Sequence, residues 1–311
     1  MRAVVYANGN ASFVTDYPVP ESSETTSLVR VELAAICNTD REILRGYRPD
    51  FAGIMGHEFV GIVEQSHSPT LLNQRVVGEI NLNCDDCLYC NSNRPHHCEK
   101  RLTLGINNHD GAFADYLVLP NALLWPVGDQ LDAEHAVFTE PLAAAAHITE
   151  QLPFTPALPV AIVGDGRLAL LICQALAALT EAHLTVIGKH VDKLALFKPY
   201  AKVSLEPTGN YEVVIDATGN PESLANSIAL TRSGGTLVMK STYADTAVID
   251  MSEIVVREIT IIGSRCGEFP PALELLRSGR INLPPLELFT PENYAAAFNS
   301  QAFKAALNFR S

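Results

Sequence analysis

The chain has 311 residues, 47% of them hydrophobic and 18% charged, with 22 Lys plus Arg against 35 Asp plus Glu for a formal charge of −13. This composition excludes a disordered chain and supports two domains or one large one, while the acidic balance argues against nucleic acid or an anionic membrane as partner. Apolar stretches stop well short of the ~20 residues of a membrane span, and residues 1–9 read as a strand and turn rather than a signal peptide, so the expected location is the cytoplasm.

Short β-type runs dominate the first 140 residues, at 3–6, 28–35, 59–64, 75–80 and 116–119, set apart by Gly, Pro, Asn and Asp. Near Pro141 the texture turns Ala-rich and helical over 142–149. The apolar run 160–163 reads as a buried strand, Gly164-Asp165-Gly166 as a turn and 168–179 as a helix. Strand-like segments follow at 184–187, 212–216, 236–239 and 260–262. Such alternation predicts a parallel sheet covered on both faces, hence an α/β protein. A helix is expected between Phe269 and Gly279, and the last thirty residues are mixed.

Seven cysteines, at 37, 84, 87, 90, 98, 173 and 266, make an odd count ill suited to a disulfide framework. Cys84-x2-Cys87-x2-Cys90-x7-Cys98 places four thiolates in one loop, enough to wrap a tetrahedral ion with Zn–S bonds of ~2.3 Å. A pair of disulfides and a set of unligated thiols are the other readings. Four sulfurs leave no open position, so the ion would be a structural zinc holding the lobe together. His96 and His97, beside Cys98, are expected to face solvent, and Cys173 and Cys266 to pack.

Cys37 lies in Ala35-Ile36-Cys37-Asn38-Thr39-Asp40, and twenty residues on comes Gly56-His57-Glu58-Phe59-Val60-Gly61. With the four-cysteine lobe, the segment Asp110-Gly111-Ala112-Phe113-Ala114 and the Gly164-x-Gly166 turn, these resemble the zinc-dependent medium-chain alcohol dehydrogenases over essentially the whole chain. The resemblance implies that Cys37 and His57 bind a catalytic zinc. Where other members supply a second cysteine, this chain has Phe138-Thr139-Glu140-Pro141-Leu142, which looks like the polyol, glucose and threonine dehydrogenase branch. The implied ligands are thus Cys37, His57 and Glu140, with a fourth position open for substrate. Glu58 is implied to sit behind the ion or to ligate it. On an extended segment it would diverge from His57, so both serve only if the chain bends there. Asp40 matches the carboxylate that orients a zinc-bound imidazole, and Thr39 the hydroxyl that passes the substrate proton outward. Glu42 replaces a relay histidine of liver-type enzymes, which leaves Glu42, the cofactor ribose and water as exits for that proton. Ile80, with Tyr47 or Phe51, is implied to line the substrate site.

Gly164-Asp165-Gly166-Arg167-Leu168-Ala169 reads as G-x-G-x-x-A, where glycines let a pyrophosphate approach the backbone at a helix N-terminus. At the end of the next strand, where NAD enzymes keep a carboxylate for the ribose hydroxyls, this chain has Gly188, then Lys189 and His190. A carboxylate ~4 Å from a phosphate charge costs about 4 kcal/mol at an effective dielectric of ~20. Its loss therefore favours NADP(H) over NAD(H). The resemblance further places Thr218, Ser264 and Arg265 along the cofactor and Lys304 on its pyrophosphate.

The expected architecture is a GroES-like, β-rich catalytic domain, 1–141 completed by 267–311, and a Rossmann, doubly wound cofactor domain over 142–266. The expected activity is hydride transfer between a secondary alcohol (polyol, sugar or amino alcohol) or its ketone and NADP(H), with two zinc ions per chain in a homodimer or homotetramer. The alternatives are a zinc-free NADPH-dependent quinone or enone reductase and a non-enzymatic cofactor-binding protein. Neither would need an open metal site.

Overall fold

The computed structural model describes residues 1–242 and 246–310. Two compact units emerge: Met1–Glu140 with Ala272–Arg277 and Leu283–Ser311, and Pro141–Pro271 with Ser278–Asn282.

The first unit is organised on the strand Thr26–Ala35, in which Leu28, Val29, Val31, Leu33, Ala34 and Ala35 are all buried. Buried on both faces, it pairs antiparallel with Glu58–Gln65, Tyr116–Pro120 and Lys304–Asn308. Register shifts after Leu28 and Val31 bend its ladder with Glu58–Gln65, which lets the seven-stranded sheet curl. The segment that reads as mixed at the C-terminus is therefore structural: its strand Lys304–Asn308 completes the central sheet of the N-terminal region. A smaller sheet joins Asn10–Val14, Ala3–Ala7 and Gly53–Ile54.

In the second unit six strands are paired, all parallel. Their order across the sheet is Lys202–Ser204, His183–Ile187, Pro159–Val163, Tyr211–Asp216, Thr231–Met239 and Thr260–Gly263. The order reverses between Pro159–Val163 and Tyr211–Asp216, the switch point beside which doubly wound sheets take ligands at the carboxyl ends of their strands. Helix Arg167–Leu179 buries an unbroken stretch from Ala169 to Leu176. Val163, Ile187, Val214, Leu237 and Ile228 belong to the core under one face of the sheet, each worth ~1.5–3 kcal/mol of burial.

Two differences from the sequence reading have separate causes. Lys202–Ser204 is short, with Val203 its one apolar residue, and Arg232, Ser233 and Gly234 at the start of Thr231–Met239 are exposed, so no apolar run announces either. The helix expected over 142–149 is two pieces, Thr139–Ala146 and Ile148–Gln151, and it starts earlier because Pro141 is tolerated in a first turn.

Candidate active site

Three strands meet at Ala35. It closes the ladder against Glu58 on one side and lies opposite Ala306 on the other. Beyond it the chain turns, and Cys37 becomes the N-cap of helix Asn38–Leu44, where its N–H donates to Asp40 Oδ2 at 2.8 Å. Across the ladder His57 follows Gly56, whose φ of +91° bends the chain just before the strand. A Cβ on Gly56 would also strike the Phe113 ring at 2.4 Å, so glycine is required there for both conformation and space. With the chain bent just before them, His57 and Glu58 both reach one site. Ligand atoms of Cys37, His57 and Glu58 lie within 4.8 Å of one another, with both His57 and Glu58 buried.

Buried charge surrounds the cluster. His57 Nδ1 lies 3.4 Å from Asp40 Oδ1, and Asp40 is fully buried. Neither of these two atoms has a hydrogen bond, which suits an arrangement that tightens when the other ring nitrogen takes an ion. Burial disfavours the imidazolium, yet the Asp40 carboxylate and the Cys37 sulfur more than offset it, so the His57 pKa lies well above its usual value. A divalent cation competes directly with that proton. A thiol, an imidazole and a carboxylate are the donor set of a zinc site with an open position. Thr39 Oγ1 stands 3.7 Å from Cys37 Sγ, and the Glu42 carboxylate, one turn on, is engaged by Arg45 at 2.8 Å. Lys304 is buried and ion-paired with Glu58. Its ammonium therefore belongs to the first unit, with a partner that the sequence reading does not give it. Glu140 lies half-buried in the first turn of helix Thr139–Ala146 and is not one of the three side chains drawn together.

The lobe 84–98 gathers its four sulfurs as its spacing predicts. Cys87 and Cys90 are 3.5 Å apart, as are Cys84 and Cys98, and all four thiols are free. A disulfide requires ~2.05 Å, whereas sulfurs at the corners of a tetrahedron with ~2.3 Å bonds lie about 3.8 Å apart, so the lobe fits an ion and not two disulfides. The backbone N–H groups of Cys90 and Glu99 bring the Cys87 thiol down to about 6, while the hydrogen bond to Asp86 raises that of Cys84 and burial that of Cys90. His97 is exposed, as expected; His96 is half-buried. Phe51 is buried and stacked on Tyr6 with ring centroids 6.2 Å apart.

In the second unit Gly164 has φ +125°, and a Cβ there would meet Ala217 O at 2.9 Å. Gly166 caps helix Arg167–Leu179 with no side chain over it and nothing within 4 Å of its Cβ position. That combination suits a pyrophosphate. Gly188 is buried, and Lys189 and His190 are exposed. Thr218 donates through both N–H and hydroxyl to Asp216 Oδ1, at 3.1 and 2.8 Å, while Ser227 holds Oδ2 at 2.7 Å. Asp216 is thus the fully satisfied anchor of this strand-end turn. Ser264 is buried and Arg265 exposed.

The model of the alcohol dehydrogenase GroES-like domain matches residues 23–129, and that of the zinc-binding dehydrogenases matches 174–278, together about two thirds of the chain. The chain belongs to the medium-chain dehydrogenase family. L-threonine 3-dehydrogenase of Xanthomonas oryzae pv. oryzae (strain MAFF 311018) is 29% identical to this chain over 295 residues, covering 85% of this chain and 84% of that one. A protein described as a zinc-binding dehydrogenase from Sinorhizobium meliloti 1021, solved with NADP, superposes with a TM-score of 0.89 at 25% identity, over 99% of this chain and 98% of that one. The rspB alcohol dehydrogenase of Escherichia coli CFT073, complexed with NADH, shares the fold with a TM-score of 0.88 at 23% identity, over 99% of both chains.

The structure adds residues that the sequence reading passes over. Lys240, buried at the end of Thr231–Met239, donates to Ser264 Oγ at 3.0 Å and Arg265 O at 2.8 Å, and so holds the segment expected along the cofactor. A lysine directly after an apolar strand is the signal that could have found it. Asp165, inside the glycine turn, is the second.

Proposed function

We propose that this family member is a zinc-dependent dehydrogenase that transfers a hydride between a secondary alcohol, or its ketone, and a nicotinamide dinucleotide. The observation that carries this reading is the cluster of half-buried Cys37 with buried His57 and Glu58, the His57 imidazole turned toward Asp40. Zinc held there supplies a Lewis acid for the alcohol oxygen, and the dinucleotide accepts the hydride. Asp40 fixes the tautomer and direction of His57. Thr39 takes the hydroxyl proton of the substrate, and with Glu42 engaged by Arg45 we assign the onward exit to solvent. Because Glu58 shares its charge with Lys304, Glu140 is the third protein ligand we assign, and Glu58 balances charge behind the ion. Glu140 and the threonine dehydrogenase relative support a hydroxylated substrate: a polyol, sugar or amino alcohol.

For the dinucleotide we assign Gly164, Gly166, Arg167 and Leu168 to the pyrophosphate; Lys304, ion-paired with Glu58, we assign to the charge balance of the first unit's cluster. Gly188, Lys189 and His190 border the adenosine, and Thr218, Ser264 and Arg265 follow the remainder. A second zinc in the 84–98 lobe, a homo-oligomer and a cytoplasmic location complete the proposal. Free thiols at all seven cysteines support a reducing compartment. No helix among the described residues is long and apolar enough to cross a membrane.

The test is turnover of a panel of secondary alcohols and ketones with NAD(H) and NADP(H). Activity that falls at least ~1,000-fold in His57→Ala, with dinucleotide binding retained, is the expected result. Full activity in that variant would overturn the mechanism.

A further inference from the structure

The strand-end position that lacks a carboxylate in sequence has one in space. A Cβ built on Gly188 would lie 2.7 Å from both Cβ and Oδ2 of Asp165 and 3.0 Å from its Cγ. The Asp165 side chain, rising from the glycine turn, thus fills the volume in which a side chain at 188 would begin. Glycine is needed at 188 for room.

The donors around this carboxylate are the groups that the sequence reading offers to a 2′-phosphate. Lys189 N–H and His190 N–H donate to Asp165 Oδ2 at 2.7 and 2.8 Å, and His190 Nδ1 lies 2.9 Å from the same oxygen. Burial opposes the charge on Asp165, but these bonds and the His190 ring hold its pKa below the ordinary value, so the group is an anion at neutral pH. Oδ1 lies 3.1 Å from His190 Nδ1, which already serves Oδ2, and so keeps lone pairs for another donor. The side chain is 11% exposed, enough to be reached from the surface.

We propose that Asp165 takes over the role of the missing strand-end carboxylate, accepting the adenosine ribose hydroxyls and making NAD(H) the preferred cofactor in place of NADP(H). The inference rests on the dinucleotide reading above. Ribose hydroxyls can donate to Oδ1, whereas a 2′-phosphate brings negative charge and no donor to an anion. The N–H groups it would use are engaged, and the exposed Lys189 ammonium is a solvent-screened attraction. Solved relatives of the same fold hold NADP or NADH, so the fold leaves the choice to residues such as this one.

The experiment is a set of dissociation constants for NADH and NADPH, from the fluorescence of the bound nicotinamide, on three proteins. Wild type is expected to bind NADH at least about tenfold more tightly than NADPH. Asp165→Asn keeps the shape and removes the charge, and should bring the two constants within about threefold, mainly by tightening NADPH. The double variant Asp165→Gly with Gly188→Asp returns a carboxylate to the strand end and should restore the NADH preference. Tighter NADPH binding by wild type would overturn the proposal. So would selective loss of NADPH binding in Asp165→Asn, because Asp165 would then be holding the turn for a phosphate. If Asp165→Asn does not fold, judged by circular dichroism, the wild-type ratio and the double variant decide. Binding of neither dinucleotide would remove the dinucleotide reading itself, and this inference with it.

Discussion

In the lobe 84–98 four thiols come from fifteen consecutive residues, and the nearby charges Asp86 and Lys100 are 65% and 66% exposed. Cys37, His57 and Glu58 come instead from the ends of two strands, and the charges around them, Asp40 and Lys304, are buried. The lobe has little besides sulfur to hold it: two short helical turns, Leu88–Asn91 and Pro95–His97, and a two-residue strand pair at its base. The other cluster sits where the largely buried strand Thr26–Ala35 ends against the start of Glu58–Gln65. In the proposed reading an ion would make the local structure in the first case, whereas in the second the strands place the ligands and the ion would be the reagent.

This contrast can be broken most severely at the buried ion pair. Lys304→Ala leaves Glu58 charged and unpaired in the interior, and should cost about 3–5 kcal/mol in urea unfolding. Adding Glu58→Gln should return most of it. An unchanged midpoint for Lys304→Ala would show that the pair is not desolvated. Glu140→Ala should lower turnover at least ~100-fold and weaken zinc at the strand-borne site while the lobe zinc stays. If both metal content and turnover survived, Glu140 would not be a ligand. Asp40→Asn should weaken zinc at the same site by about 10–100-fold in chelator competition, again with the lobe unaffected. Equal weakening at both sites would erase the distinction drawn between them. At the small end, Lys100→Ala removes a solvent-exposed partner of Asp86 and should leave the thermal midpoint within experimental scatter. A clear drop would mean that the lobe depends on its surface charges as well as its sulfurs.

Legibility follows the same division. The four-cysteine lobe and the Gly164-Asp165-Gly166 turn can be read from sequence because each is one contiguous loop. The strands at 3–7, 58–65 and 159–163 carry apolar runs and stand close to where those runs place them. Cys37 and His57, twenty residues apart, become partners through the ladder that ends at Ala35 and Glu58, and only a family resemblance links them in advance. The pairing of Glu58 with Lys304 joins the two ends of the chain through the strand Lys304–Asn308, whose place in the sheet no local pattern reveals. Gly188 shows the opposite limit: its sequence position records a missing carboxylate, while the space beside it holds Asp165.

In the proposed function one chain carries two metal sites of different kinds. Zinc per chain, measured by elemental analysis on wild type, Cys37→Ser and Cys98→Ser purified without added metal or chelator, tests it most directly. Two ions in wild type and one in each variant are predicted, with Cys37→Ser keeping its wild-type protease resistance and Cys98→Ser becoming cleavable within 84–98. One ion in wild type, unchanged in Cys37→Ser, would contradict the strand-borne site and the hydride-transfer chemistry built on it.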